Sequence, residues 1–333
     1  MVIGKHIKIF MRISCALILL GIIFSRVRRF DLGDFKTLGY LSAFIAAAIM
    51  NVAQSSLCTY RWRLIQDFFS KPPPFVISFW AYLECGFYNQ ALPSFIGGDT
   101  VRILRWCESG ITAAYATASV VFDRVFGALG AAILAILACF MLRDTAVESY
   151  KVLSAFILAG GILFACAAFL LIVRLPATHK WFLHVHRLHA FSVAVSGWTP
   201  SAFSVVFFVV LGFVGQIIAG LAVYTLSRGL GIELSLPVLV SVTGIILLLS
   251  MVPISFAGWG VREAAFVTLL VPLGISNSSA LALGISFGLS TLVGSLPGGI
   301  SALLDFASPS RHSLLLQKHI SGEDIAERSK ASQ

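Results

Sequence analysis

The chain has 333 residues, of which 58% are hydrophobic and only 12% charged, and it carries a net charge of +9 at pH 7. Soluble domains average about 45–50% apolar and about 25% charged residues, so this composition excludes an ordinary water-soluble fold and describes a polytopic all-α membrane protein. The basic residues sit mainly in short connections beside apolar stretches, which points to membrane topology and anionic headgroups rather than nucleic acid.

In chain order, the first apolar stretch covers 9–25. Arg26, Arg28 and Arg29 follow it where a signal peptide would have a small-residue cleavage site, so it is expected to remain as a membrane span. A second span is expected over 39–59. The next apolar segment, 75–92, runs into Pro93-Ser94-Phe95-Ile96-Gly97-Gly98-Asp99-Thr100-Val101-Arg102. A short arm over 99–109 follows and ends at Gly110. Spans are then expected over 112–142, 152–173 and 200–227. The segment 236–252 runs into a second string, Pro253-Ile254-Ser255-Phe256-Ala257-Gly258-Trp259-Gly260-Val261-Arg262, with an arm over 261–273 ended by Pro272. A last span covers 278–304. Residues 1–307 are read as one integral membrane domain and 308–333 as a polar tail.

Both strings read P-x4-G-x2-V-R. A helix broken in lipid frees backbone groups that only protein or a watery cavity satisfies. Paired breaks in the two halves of a chain point to a binding site at a repeat interface. The arms are too short to cross a bilayer at about 1.5 Å per residue, which predicts two re-entrant hairpins beside about six full spans. Three spans separate the hairpins, which gives an inverted-repeat architecture. On this topology one side holds the larger share of basic residues, Arg61, Arg63, Lys71, Arg102 and Arg105 among them. That side is expected to be cytoplasmic, with both termini inside, although the Arg26–Arg29 cluster opposes the rule. The expected location is the cell (inner or plasma) membrane.

The strings and their neighbours resemble a known family. Asn89, Pro93, Gly98-Asp99 and Arg102 are similar to an asparagine, proline, glycine–acid, arginine motif of the lysylphosphatidylglycerol synthase transmembrane-region family, a group of flippase-like membrane proteins. Val121-Phe122-Asp123-Arg124 resembles that family's acidic/arginine helix. Pro253 to Glu263 resembles its P-x-S-x-x-G-x-G-x-x-E segment, with Ala257 where glycine is frequent; Asp99 stands where glutamate is usual. The resemblance implies an integral membrane fold that recognises, and in some members translocates, amphiphilic lipids. Larger relatives append a cytosolic aminoacyl-transfer domain. No such domain is recognised in this sequence, so lysyl transfer is not carried over.

The residue chemistry gives a compatible reading. Charged side chains in a bilayer core are costly and tend to face cavities and pair. Arg102 and Arg262 offer guanidinium forks that match a lipid phosphate. The glycines Gly97, Gly98, Gly258 and Gly260, with Pro93 and Pro253, would break the backbone to line the cavity. Asp99 and Glu263 would hold the arginines or receive a cationic headgroup, and Asn89 would add a polar contact. The plainer alternative leaves both arginines snorkelling at the interface. Asp123 and Arg124 are adjacent on a helix and do not face each other. Either they find partners on other helices, Arg102 or Glu263 among them, or the helix begins near Ser119 and the pair lies at the headgroups. Glu84, Gln90 and Gln216 are further polar groups at depth, and the two glutamines are expected to act as interhelical glue.

Other signals are set aside. Gly284-Ile285-Ser286-Phe287-Gly288 matches G-x-S-x-G but lies in an apolar span, as does the Gly294–Gly298 spacing, and both read as close-packing motifs. His179, His184, His186 and His189 lie in the connection 174–199, which is expected to hold an amphipathic surface helix. Six scattered cysteines suggest neither disulfides nor zinc. No phosphate-loop string is present. No metal or cofactor is expected, and the partners are membrane lipids and, with them, enzymes of lipid biosynthesis. The leading expectation is translocation or binding of an anionic amphiphilic lipid (phospholipid, polyprenyl-phosphate or hopanoid type). The alternative is a membrane-embedded transferase that uses Asp99, Asp123 and Glu263.

Overall fold

A computed structural model describes residues 38–91, 95–142, 191, 193–251 and 260–307. The expected spans over 9–25 and 152–173, the histidine cluster, the polar tail, Pro93, Pro253 and Gly258 lie outside the described residues. Every regular element among the described residues is helical: α1 (Leu38–Asp67), α2 (Phe75–Ala91), α3 (Phe95–Cys107), α4 (Ala113–Met141), α5 (Ala202–Gly229), α6 (Leu236–Ser250), α7 (Val261–Leu270) with a 3-10 turn Val271–Leu273, and α8 (Asn277–Ala307). Helices α1, α4, α5 and α8 are long and apolar enough to cross a membrane.

Local chemistry explains most of the boundaries. Three consecutive prolines, Pro72 to Pro74, remove donors and disfavour helix before them. The Pro74 carbonyl then accepts from the Ile77 and Ser78 amides to open α2. Ser201 caps α5 through the Ser204 amide at 3.1 Å, and Ser276 does the same for α8 through Ser279 at 3.1 Å. These bonds satisfy donors that a helix start leaves free. Pro237 sits in the first turn of α6, where its missing N–H costs nothing. After α7, Pro272 lies in the 3-10 turn and Gly274 adopts φ +87°, a left-handed conformation that favours glycine.

Two expectations need correction. Gly97 and Gly98 do not form the first break; they lie inside α3, and the interruption falls between Ala91 and Phe95. A side chain at position 98 would run into the Cys85 carbonyl and the Asn89 side chain across the hairpin. Glycine is therefore needed there for close approach, not for a turn. The second span was expected to end near 59, leaving Arg61 at the headgroups, but α1 continues to Asp67 and buries Arg61.

The packing has a regular pattern. Helix α2 packs on α8 and α3 on α4, while α6 packs on α4 and α7 on α8. Exchanging α1 with α5, α2 with α6, α3 with α7 and α4 with α8 maps each principal helix–helix contact onto another. The α1–α5 contact maps onto itself, and those two helices run antiparallel: Gly215 faces Leu57 and Cys58, and Gly229 faces Ala43. Glycines let the backbones meet. A side chain at Gly130 would strike the Gly212–Phe213 backbone, and one at Gly298, next to Pro297 in α8, would strike Leu83 and Glu84 of α2. The G-x-S-x-G string lies within α8, where Gly284 abuts Phe266 and Glu263 of α7, so it serves packing. The largest apolar cluster joins α5 to α8 through Leu226, Ile246, Phe266, Leu269 and Leu283.

These contacts predict that Gly130→Val destabilises the protein by about 1–3 kcal/mol, because the overpacked backbone cannot give way. Gly39→Ala, with nothing within 4 Å of the added atom, should leave thermal unfolding in detergent unchanged.

Candidate functional site

The polar groups of the first hairpin converge on α1 and α4. Asp123, in the middle of α4, accepts from Arg61 Nε at 2.8 Å through one carboxylate oxygen and from Arg102 Nη1 at 2.7 Å through the other. Arg61 Nη2 also donates to the Asp123 carbonyl at 3.1 Å. Arg102 in turn donates through Nη2 to Asp99 at 2.7 Å. Asp99 closes the series by accepting from Arg124 Nε and Nη2 at 2.8 and 2.9 Å. The result is an unbroken ladder, Arg61–Asp123–Arg102–Asp99–Arg124, with three cations and two anions. It retains one positive charge.

The ladder has a direction. Arg61, Asp123 and Arg102 side chains are 4%, 2% and 1% exposed, whereas Asp99 is 16% and Arg124 36% exposed. Arg102 is further covered by the rings of Trp62 and Tyr82, its guanidinium carbon 5.1 and 4.8 Å from their centroids. These aromatic faces attract a guanidinium and shield it from solvent. Adjacent Asp123 and Arg124 do point apart, each to partners on other helices. Arg102 is the partner of Asp123, and Glu263 serves elsewhere. The helix start expected near Ser119 falls instead at Ala113, and Asp123 is buried among the neighbouring helices.

Three basic residues counted toward topology are therefore internal. Arg61 and Arg102 belong to the ladder. Arg105 makes a bidentate pair with Glu84 across the hairpin, Nε and Nη2 each at 2.9 Å from a carboxylate oxygen. Arg61, Trp62, Tyr82 and the Glu84–Arg105 pair were not singled out as site residues. An arginine after a long apolar run, Arg61, was the available signal, but its sequence position suits an interface equally well.

Asn89 has a local task. Its Oδ1 accepts from the Gly98 amide at 3.2 Å, one of the free donors of the first turn of α3. Its Nδ2 lies 3.4 Å from Cys85 Sγ, and that thiol reaches Asp99 at 3.6 Å. At the second break, Gly260 adopts φ +91° and begins α7. Glu263 accepts from the Gly260 amide and, through its other oxygen, from Arg262 Nη2 at 3.0 Å. Glu263 thus holds both the helix start and the arginine.

These parts border one cavity of about 240 Å³. Every described helix except α3 lends a side chain to its wall. Arg61, Asp123 and Arg124 border it from one side, Arg262 from another, and Asn89 and Gln90 from α2. Arg102, Asp99 and Glu263 stand one bond behind that wall. Gly97, Gly98 and Gly260 do not border it. Gln216 acts as the expected glue, donating to the Gly127 carbonyl at 3.0 Å. Gln90 Oε1 and Gln216 Oε1 are buried acceptors with no hydrogen-bond partner among the described residues.

The chain matches the model of a protein family described as the lysylphosphatidylglycerol synthase TM region over residues 11–298. The chain belongs to this family. Comparison with curated proteins gives no match. Family membership and the four long apolar helices make it a multi-pass membrane protein, and the family suggests a lipid-related function in the membrane.

Replacing Asp123 with Asn should leave Arg61 and Arg102 buried without full charge balance and cost about 3–5 kcal/mol, read as a lower midpoint in detergent thermal unfolding. Glu108→Gln, at a half-exposed carboxylate 3.4 Å from Arg105, should change it by less than about 1 kcal/mol.

Proposed function

We propose that the cavity receives the phosphate-bearing headgroup of an anionic amphiphilic lipid, of phospholipid, polyprenyl-phosphate or hopanoid type, and that the protein moves this lipid between leaflets or presents it to lipid-biosynthesis enzymes. The observation that carries this reading is the odd charge of the ladder. Its uncompensated cation is at the accessible end, where Arg124 uses Nε and Nη2 on Asp99 and borders the cavity. Arg262 approaches the same space from the second hairpin. A phosphate monoanion would neutralise the ladder and bridge both halves of the protein through guanidinium forks.

The same reading favours recognition over group transfer. Asp99, Asp123 and Glu263 each already accept from at least one arginine, which makes them counter-ions instead of unoccupied acids, bases or metal ligands. The membrane arrangement that accommodates it has six full spans, two of them in 9–25 and 152–173, and two re-entrant hairpins. Helix α3 is 13 residues long and α7 10. At about 1.5 Å per residue they span about 20 and 15 Å, short of a hydrocarbon core about 30 Å thick. The exchange pattern of the contacts, about an antiparallel α1–α5 pair, supports an inverted repeat, since an axis relating antiparallel helices lies across them. We place the protein in the inner or plasma membrane with both termini cytoplasmic. Arg61, Arg102 and Arg105 no longer count toward that orientation.

The test uses Arg124→Gln and Arg262→Gln in reconstituted vesicles. Each should weaken binding and scrambling of an anionic phospholipid by about tenfold or more, the loss of one charge-assisted contact, while a zwitterionic lipid responds less. Unchanged binding and scrambling in the double variant would sink the headgroup assignment. Covalent modification of the lipid by the wild-type protein would favour the transferase reading.

A further inference from the structure

Beyond the ladder, a second group of polar atoms is buried and unused. Gln66 Nε2 and Oε1, Ser78 Oγ, Trp106 Nε1 and Arg102 Nε have no hydrogen-bond partner among the described residues. Their residues are 0%, 2%, 1% and 1% exposed, respectively for Gln66, Ser78, Trp106 and Arg102. Buried polar groups are almost always satisfied, so four such residues on three helices call for an explanation.

Helix register brings them to one level. Trp62 of α1, Tyr82 of α2 and Arg102 of α3 form a layer, with the two rings 6.5 Å apart and the guanidinium over both. The connection 68–74 turns the chain back, so α1 and α2 run in opposite directions. Glu84–Arg105, Cys85–Asp99 and Asn89–Gly98 contacts show that α2 and α3 do too. Four residues on from Trp62 is Gln66; four back from Tyr82 is Ser78; four on from Arg102 is Trp106. Each step is one helical turn on the same face. All three steps lead the same way, toward the 68–74 connection and away from the headgroup cavity, which Tyr82 borders.

We propose that Gln66, Ser78 and Trp106 line an internal hydrated chamber, separated from the headgroup cavity by the layer of Trp62, Tyr82 and Arg102. Five donors and acceptors suit about two water molecules, since a buried water makes about three hydrogen bonds. The chamber offers chiefly donors: the indole, the amide NH2, the hydroxyl and Arg102 Nε, the guanidinium nitrogen that serves neither aspartate. Gln66 Oε1 is the one atom of the five that only accepts. Water, which both donates and accepts, fits this mixture. The aromatic layer then acts as a partition between two wet compartments, and Arg102 keeps polar surroundings on both of its sides.

The neighbouring Trp62 provides an internal reference. Its indole N–H donates to Ser119 Oγ at 3.1 Å and so has a protein partner, whereas that of Trp106 has none among the described residues. The experiment follows indole N–H signals of the 15N-tryptophan-labelled full chain in lipid nanodiscs after transfer to D2O, with Trp62→Phe and Trp106→Phe assigning the two peaks. The Trp106 signal should decay about tenfold faster than that of Trp62, because direct contact with water removes the need for a structural opening. In Gln66→Leu/Ser78→Ala the chamber loses its polar lining, and Trp106 decay should slow to the Trp62 rate while the other indole peaks stay in place. Equal decay of the two indoles in the wild-type chain overturns the proposal. So does unchanged Trp106 decay in the double variant.

Discussion

One carboxylate, Asp123, shared between two buried guanidiniums, ties α1, α3 and α4 together at the centre of the molecule. Desolvating three charges is unfavourable unless geometry and hydrogen bonding compensate, and here both Asp123 oxygens and its backbone carbonyl are engaged. The rest of the site follows from that constraint. Arg102 is fixed by Asp123, so Asp99, one turn before it on α3, is presented to Arg124, one residue after Asp123 on α4. Neither aspartate can be shifted without moving two arginines.

The scaffold is duplicated but the charge is not. Shifted by the spacing between Arg102 and Arg262, the first set of helices overlies the second set closely. Yet Arg61 then falls on Leu221, Asp123 on Leu283 and Arg124 on Gly284. The half containing α1 to α4 carries the ladder, while the other half contributes Arg262, braced by Glu263. Leu283, the apolar counterpart of Asp123, instead joins the main hydrophobic cluster with Phe266. The α1–α4 half supplies most of the polar wall and the α5–α8 half most of the apolar support. The ladder's net positive charge thereby borders one side of a cavity that Gln54, Ser55, Ser250 and Thr291 also line.

The sequence was most informative about elements and least about partners. The apolar windows, with Gly110 and Pro272 as the ends of the two arms, placed the helices close to where they occur. The repeated string marked both interrupted segments and, through Arg262, the one arm that borders the cavity. It misplaced the role of Gly97 and Gly98, because a glycine pair reads alike whether it turns the chain or lets two helices touch. It also could not separate Arg61, an internal ion-pair member, from Arg63, whose Nε meets the Pro73 carbonyl in the connection at 2.9 Å. Both follow the same apolar run, and a helix turns by about a third of its circumference in each residue.

By itself the sequence determined the class of protein, the two interrupted segments and the residues that carry unusual charge, because composition and helical length are local properties of the chain. Only the tertiary structure decided who neutralises whom. The ladder joins residues far apart in sequence, its net charge depends on counting all five members, and the accessible end is set by which side chain the surrounding helices leave uncovered. These are properties of packing, which no single segment contains.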